Sequence, residues 1–116
     1  MELKLLAKHI TDELDELQAF DIKEIDVYGK TSVADLLIIA TGRSNRHVKA
    51  VATKIVEKLK KIGSPAISSS GLDTGEWALI DCGDIILHLM TSEVRAFYNL
   101  EGLWIQPPLS TDQSTN

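Results

Sequence analysis

Only a few side chains in this sequence are placed where they could do chemistry: Asp35, Asp81 and Asp84, His47 and His88, and Cys82. A turn from Gly29 to Ser32, followed by Asp35 at the start of an apolar run, has the outline of a metal-dependent nucleotidyltransferase-like enzyme. Such an enzyme needs at least two carboxylates arranged to hold a divalent cation and a triphosphate. Asp35 is followed by Leu36 and Leu37, so no second acid stands two residues on, on the same strand face. Asp81 and Asp84 flank a turn, where aspartate is favoured without any catalysis. Cys82 lies in that turn with no evident base beside it, and His47 sits just inside a helix start as a local structural contact. Phosphate-binding loops, CxxC pairs, HExxH helices and GxSxG elbows are all missing from the sequence. The expectation is a protein without catalytic residues, metal or cofactor, with the nucleotidyltransferase-like enzyme as the alternative.

His88 belongs to a different pattern. Glu76 to Met90 reads as two strands folded back at Cys82-Gly83, because X-Gly between apolar runs signals a hairpin. The expected pairing sets Ile80 opposite Ile85, Ala78 opposite Leu87 and Trp77 opposite His88. Alternation then gives one face to Ala78, Ile80, Ile85, Leu87 and Leu89, all aliphatic and suited to a core. The other face carries Trp77, Leu79, Asp81, Asp84, Ile86, His88 and Met90. It is too polar for a dry core and too apolar for open water, as a docking surface would be. Trp77 is its natural anchor, since an interface tryptophan often carries about 2 kcal/mol or more on truncation. Asp81 and Asp84, expected to face each other across the turn, would form a negative rim.

The remaining elements must position that hairpin. Leu3, Leu6, Ile10, Leu14 and Leu17 recur at helical spacing. Ile22 to Tyr28 alternates as a half-exposed strand. Leu36 to Ala40 is apolar at both parities, which predicts a central strand covered on both sides. Ser44 or Asn45 then caps a helix whose buried stripe is Val48, Val51, Ala52, Ile55, Leu59 and Ile62, and Gly63 ends it. Pro65 to Ser70 is a weak strand candidate. Ser92 is the expected cap of a C-terminal helix with Val94, Phe97, Tyr98, Leu103 and Trp104 on its apolar face. The predicted fold is α/β, a mixed five-stranded sheet packed with helices, in one domain over 1–104; residues 105–116 read as a disordered tail.

Charge narrows the partners. The formal net charge is −5, but residues 43–61 hold seven bases against Glu57 while both flanking regions are acidic. An acidic protein is a poor general binder of nucleic acid, and the basic helix face reads as solvated. The single cysteine excludes an internal disulfide and fits a reducing cytoplasm. No apolar run is long enough for a signal peptide or a membrane span. A basic protein surface is the natural complement.

Four blocks carry a family resemblance. Asp26–Ser32 (DVYGKTS), Ile39–Val48 (IATGRSNRHV), Trp77–His88 (WALIDCGDIILH) and Glu93–Trp104 (EVRAFYNLEGLW) occur in order at compatible spacing. Together they resemble the ribosomal silencing factor (Iojap) family over about residues 1–104. Gly102 departs from the family, which has a charged residue there, and should soften the last helix. The resemblance implies a nucleotidyltransferase-like fold without the catalytic carboxylates, and frequent homodimers. It also implies a cytoplasmic translation repressor that binds the large ribosomal subunit through its fourteenth ribosomal protein and sterically blocks joining of the small subunit. The expected contact core is Trp77, Leu79, Ile86, His88 and Met90, with Asp81 and Asp84 at the rim. The same face could instead be a homodimer seam.

Overall fold

The computed structural model describes residues 1–104; the expected tail lies outside them. In chain order the elements are α1 (Leu3–Glu16), β1 (Phe20–Asp26), β2 (Leu36–Gly42), α2 (Asn45–Lys61), β3 (Ser68–Ser70), β4 (Trp77–Asp81), β5 (Ile85–Thr91), α3 (Ser92–Tyr98) and α4 (Glu101–Trp104). The strands form one mixed sheet in the order β1-β2-β5-β4-β3. β2 runs parallel to β5, and the other pairs are antiparallel. The predicted fold class is the one observed.

Both long helices lie on one face of this sheet. Leu6, Ala7, Ile10 and Leu14 of α1 and Val48, Val51, Ala52, Ile55 and Leu59 of α2 are buried there. They pack onto Ile38, Ala40, Ala78, Ile80, Ile85, Leu87 and Leu89. These are the residues of one parity on β2, β4 and β5, so a single alternation makes the core. The opposite parity of β2, Leu37 and Ile39, belongs to a second cluster with Ile25, Val27, Ala34, Ile86 and Met90. β2 is thus apolar at both parities because it is buried on both sides.

Both long helices end in a Schellman motif, in which a residue at positive φ lets the chain bond back to the last turn. In α2 the residue is Gly63, with φ +80, and the Ser64 amide donates to the Leu59 carbonyl at 2.9 Å. In α1 it is Gln18, with φ 66, and Ala19 donates to Leu14 at 2.9 Å. Ser44 caps α2 by accepting the His47 amide at 3.1 Å. His47 then joins the two helices: its Nδ1 accepts the Arg43 amide at 2.9 Å, and its Nε2 faces the Leu17 carbonyl at 2.9 Å. With Nδ1 accepting, the ring proton sits on Nε2 and is donated to Leu17.

Some expectations need correction. β1 starts at Phe20, two residues early, because Phe20 already pairs with Thr41; Asp21 then takes φ 50, and the register shifts between Phe20 and Lys23. Thr91, not Ser92, caps α3, accepting the Val94 amide at 3.4 Å. The expected single C-terminal helix is two, α3 and α4. Asn99 takes the left-handed conformation at φ 48 and turns the chain between them, so the break lies ahead of Gly102.

Candidate functional site

The hairpin turns one residue later than expected. The Cys82 amide donates to the Ile85 carbonyl at 2.8 Å, leaving Gly83 and Asp84 as the loop. Gly83 has φ +90, which suits glycine at the first loop position of a tight hairpin. Moving the turn centre by one residue moves the register by two. Ile80 therefore faces Leu87, Ala78 faces Leu89, Leu79 faces His88 and Trp77 faces Met90. A shift of two preserves parity, so every strand residue stays on its predicted face of the sheet, while Asp84 leaves that face for the loop. Trp77 still reaches His88, diagonally: the indole Nε1 donates to His88 Nδ1 at 3.0 Å.

The face opposite the long helices is not uniformly open. α3 and α4 fold back over one end of it, and Val94, Leu100 and Trp104 cap the second cluster. Met90 is 0% exposed and Ile86 is 8% exposed. Neither can serve as a contact residue as expected; both are core, sealed by elements downstream of the hairpin. Trp77, Leu79 and His88 remain partly exposed at the edge of this cover.

The aspartates are also placed differently. Asp81 pairs with Ile86, not with Asp84, and its Oδ1 accepts the Gly83 amide at 2.9 Å. The carboxylate therefore braces the turn. Asp84 is exposed, and its carbonyl accepts the amides of Asp35 at 2.9 Å and Leu36 at 3.1 Å, joining the starts of β2 and β5. Asp35 and Asp84 thus meet through backbone. Among the described residues, no group of three His, Cys, Asp or Glu is arranged to hold a metal. Burial, with the Asp81 charge added, pushes the Cys82 thiol up to about 11, so little thiolate exists at neutral pH.

What the chain does assemble is a ladder of rings. Phe97 meets Tyr98 edge-on with centroids 5.0 Å apart, Tyr98 meets Trp77 at 4.8 Å, and Trp77 meets His88 at 5.9 Å. Phe97 is 80% exposed and Tyr98 is 53% exposed. The sequence pattern put both on the apolar face of the last helix. In fact α3 packs through Val94 and turns its two aromatics outward, extending the Trp77 surface across the helix. Burial lowers the His88 pKa to about 4, so the ring is neutral at physiological pH. It accepts the indole proton at Nδ1 and carries its own at Nε2.

Arg95 holds α3 in place, a role the sequence pattern did not reveal. Its Nη1 donates to the Asp21 carbonyl at 2.6 Å and to Thr41 Oγ1 at 2.7 Å. Its Nε and Nη2 both reach Glu101 Oε2 at 3.0 Å. One guanidinium therefore ties α3 to the bulge of β1, the end of β2 and the start of α4. The available signal was slight: Arg95 is the only base after Lys61, and Glu101 follows six residues later.

Comparison with known proteins gives a consistent result. The family model described as "Ribosomal silencing factor during starvation" matches residues 1–116. A ribosomal silencing factor from Zymomonas mobilis is 46% identical over 101 residues, 87% of this chain and 76% of that protein. A mouse protein named "Mitochondrial assembly of ribosomal large subunit protein 1" is 35% identical over 89 residues, 74% of this chain and 39% of that protein. A crystal structure of a Chromobacterium violaceum protein superposes with a TM-score of 0.87 at 39% identity, covering 92% of this chain and 91% of that one. A Bacillus halodurans structure superposes at 0.79 with 26% identity, covering 90% and 99%. The chain belongs to the ribosomal silencing factor family, whose name is that of a translation-related regulator acting on the ribosome.

Proposed function

We propose that this chain represses translation by occupying the large ribosomal subunit where the small subunit must dock. The observation that carries this reading is the ring ladder of Phe97, Tyr98, Trp77 and His88, exposed at Phe97 and Tyr98, half-buried at Trp77 and His88, and bordered by Leu79. Clustered aromatics with one polar tip suit a protein interface, because rigid rings bring much contact area at little entropic cost. The family resemblance suggests the fourteenth ribosomal protein of the large subunit as partner. The acidic balance of the chain suits a basic protein of that kind.

The mechanism is occlusion. Two bodies cannot share the intersubunit space, so affinity for the large subunit sets the degree of repression, and no bond is made or broken. The family name supports a regulator over the nucleotidyltransferase-like enzyme, and the turn-bracing role of Asp81 agrees with that choice. The site of action is the cytoplasm, where ribosomes assemble their subunits; no helix among the described residues is long and apolar enough to cross a membrane.

The test is to crosslink the protein to intact large subunits, identify the neighbour, and follow small-subunit joining by light scattering. Crosslinks from the Tyr98 side to the fourteenth protein, with joining inhibited in proportion to occupancy, are expected. Crosslinks only between two copies of this chain, with joining unaffected, would assign the aromatic face to a homodimer seam instead.

A further inference from the structure

The face of the molecule opposite the ring ladder carries the other unusual feature, the basic helix α2. Its outer surface presents Arg46, Lys49, Lys54, Lys60 and Lys61. None of these five has an acidic partner among the described residues; Lys58 alone contacts a carboxylate, Glu13, at 3.8 Å. In a chain with a surplus of acids, unpaired cations gathered on one helix are not needed to neutralise neighbours. Like charges so placed repel, and an external polyanion relieves that repulsion.

The helix is also shaped into a groove. The loop from Gly71 to Gly75 lies against its first turns, and Gly75 is buried with φ +76. A Cβ there would fall 2.2 Å from the Asn45 carbonyl oxygen and 2.6 Å from Lys49 Cγ, so only glycine allows this approach. The groove between helix and loop is lined by Asn45, Arg46, Lys49, Thr53, Lys54 and Thr74, together with Ala50 and Leu72. Its polar lining offers three cations, two hydroxyls and an amide, and no carboxylate. That is a set of hydrogen-bond donors suited to phosphate oxygens.

We infer that this groove and the basic face of α2 hold the phosphate backbone of an RNA strand, as a contact separate from the aromatic face. Arg46 and Lys54 are about 12 Å apart along a helix rising 1.5 Å per residue, enough to span two or three successive phosphates. Glu57, the only acid on the helix, lies one turn past Lys54, outside the groove lining and beside Lys58 and Lys61. The contact reads charge, not base sequence. The groove's loop carries Asp73, with Glu76 just after it, but neither lines the groove, and most of the other acids lie on α1, β1 and the hairpin turn.

The test is fluorescence anisotropy of a labelled oligouridine with the full chain. Binding in the range of about 10⁻⁴ to 10⁻⁶ M is expected, with log affinity falling against log salt with a slope of about −2, as for three neutralised phosphates. The Arg46→Glu/Lys49→Glu/Lys54→Glu variant should lose about tenfold or more. Lys4→Glu/Lys23→Glu/Lys30→Glu, with the same change in net charge elsewhere, should lose far less. If the reversal variant does not fold by circular dichroism, the glutamine versions at Arg46, Lys49 and Lys54 should flatten the salt slope. Equal losses from the two sets, or no salt-dependent binding by the wild type, would overturn the proposal. Polyglutamate competing as well as RNA would overturn it too, by assigning the groove to an acidic protein. The outcome is independent of the aromatic face, so failure here leaves the large-subunit reading intact.

Discussion

The two faces of this sheet are made by the same alternation along the same strands, yet they finish differently. On one, two long amphipathic helices cover the aliphatic set completely, and Ile38, Ala40, Ala78, Ile80, Ile85, Leu87 and Leu89 are buried. On the other, a short helix pair covers only part, and the cover ends at Trp77, Leu79 and His88. The first face spends its hydrophobic surface on stability. The second divides its surface between a small core, with Met90 at its centre, and an exposed aromatic edge. Parity decides which residues share a face, but only the covering elements decide which of them can meet a partner.

The largest expected effect sharpens that division within a single strand. Met90→Ala should cost about 2–4 kcal/mol in urea denaturation, as for a buried residue leaving a cavity, and the folded fraction should still bind large subunits. Full stability with lost binding would move Met90 to the docking surface. Arg95→Ala removes the clamp and leaves the Glu101 carboxylate, already holding one buried oxygen without a hydrogen-bond partner, with no cation beside it. We expect about 2 kcal/mol of lost stability, with the near-ultraviolet signal of Trp77 and Tyr98 altered; an unchanged midpoint would contradict the clamp.

A smaller effect comes from His88. Its folded pKa of about 4 lies below the ordinary value of 6.5. The unfolded chain therefore takes up the proton first as pH falls, and stability declines from about pH 6.5 down to 4, by up to about 1.4 kcal/mol per pH unit. His88→Gln should flatten that part of the stability-pH profile relative to the wild type, and identical profiles would contradict the buried neutral ring. The smallest effect falls on the covered face. Gln18 occupies the positive-φ position that Gly63 fills in the other helix, so Gln18→Gly should raise stability by about 0.5–1 kcal/mol. A loss would mean that the side-chain contact from Arg43 Nη1 to Gln18 Oε1, at 3.3 Å, outweighs the strain.

Much of this was legible in the residues. The parity of the hairpin, the double burial of Leu36 to Ala40 and the Ser44 cap all follow from local spacing and chemistry. The hairpin register did not, because the turn centre depends on which residue must take positive φ, and Gly83 takes it as the first loop residue. The burial of Ile86 and Met90 was hidden because the cover comes from α3 and α4, later in the chain. The outward turn of Phe97 and Tyr98 was hidden for a related reason. A short helix held by Arg95 at one side need not bury its aromatics. Trp77, Leu79 and His88 could be placed together on the half-open face from alternation alone, while the neighbouring rings of Phe97 and Tyr98 came from tertiary structure.

The central claim is that the exposed rings, and not the sheet core beneath them, grip the large subunit. It is tested most directly by sedimenting Trp77→Ala and Tyr98→Ala with purified large subunits, after circular dichroism has shown each to be folded. The account predicts that both remain in the supernatant, with affinity down by about thirtyfold for a 2 kcal/mol anchor. Folded variants that pellet with large subunits as completely as the wild type would contradict it.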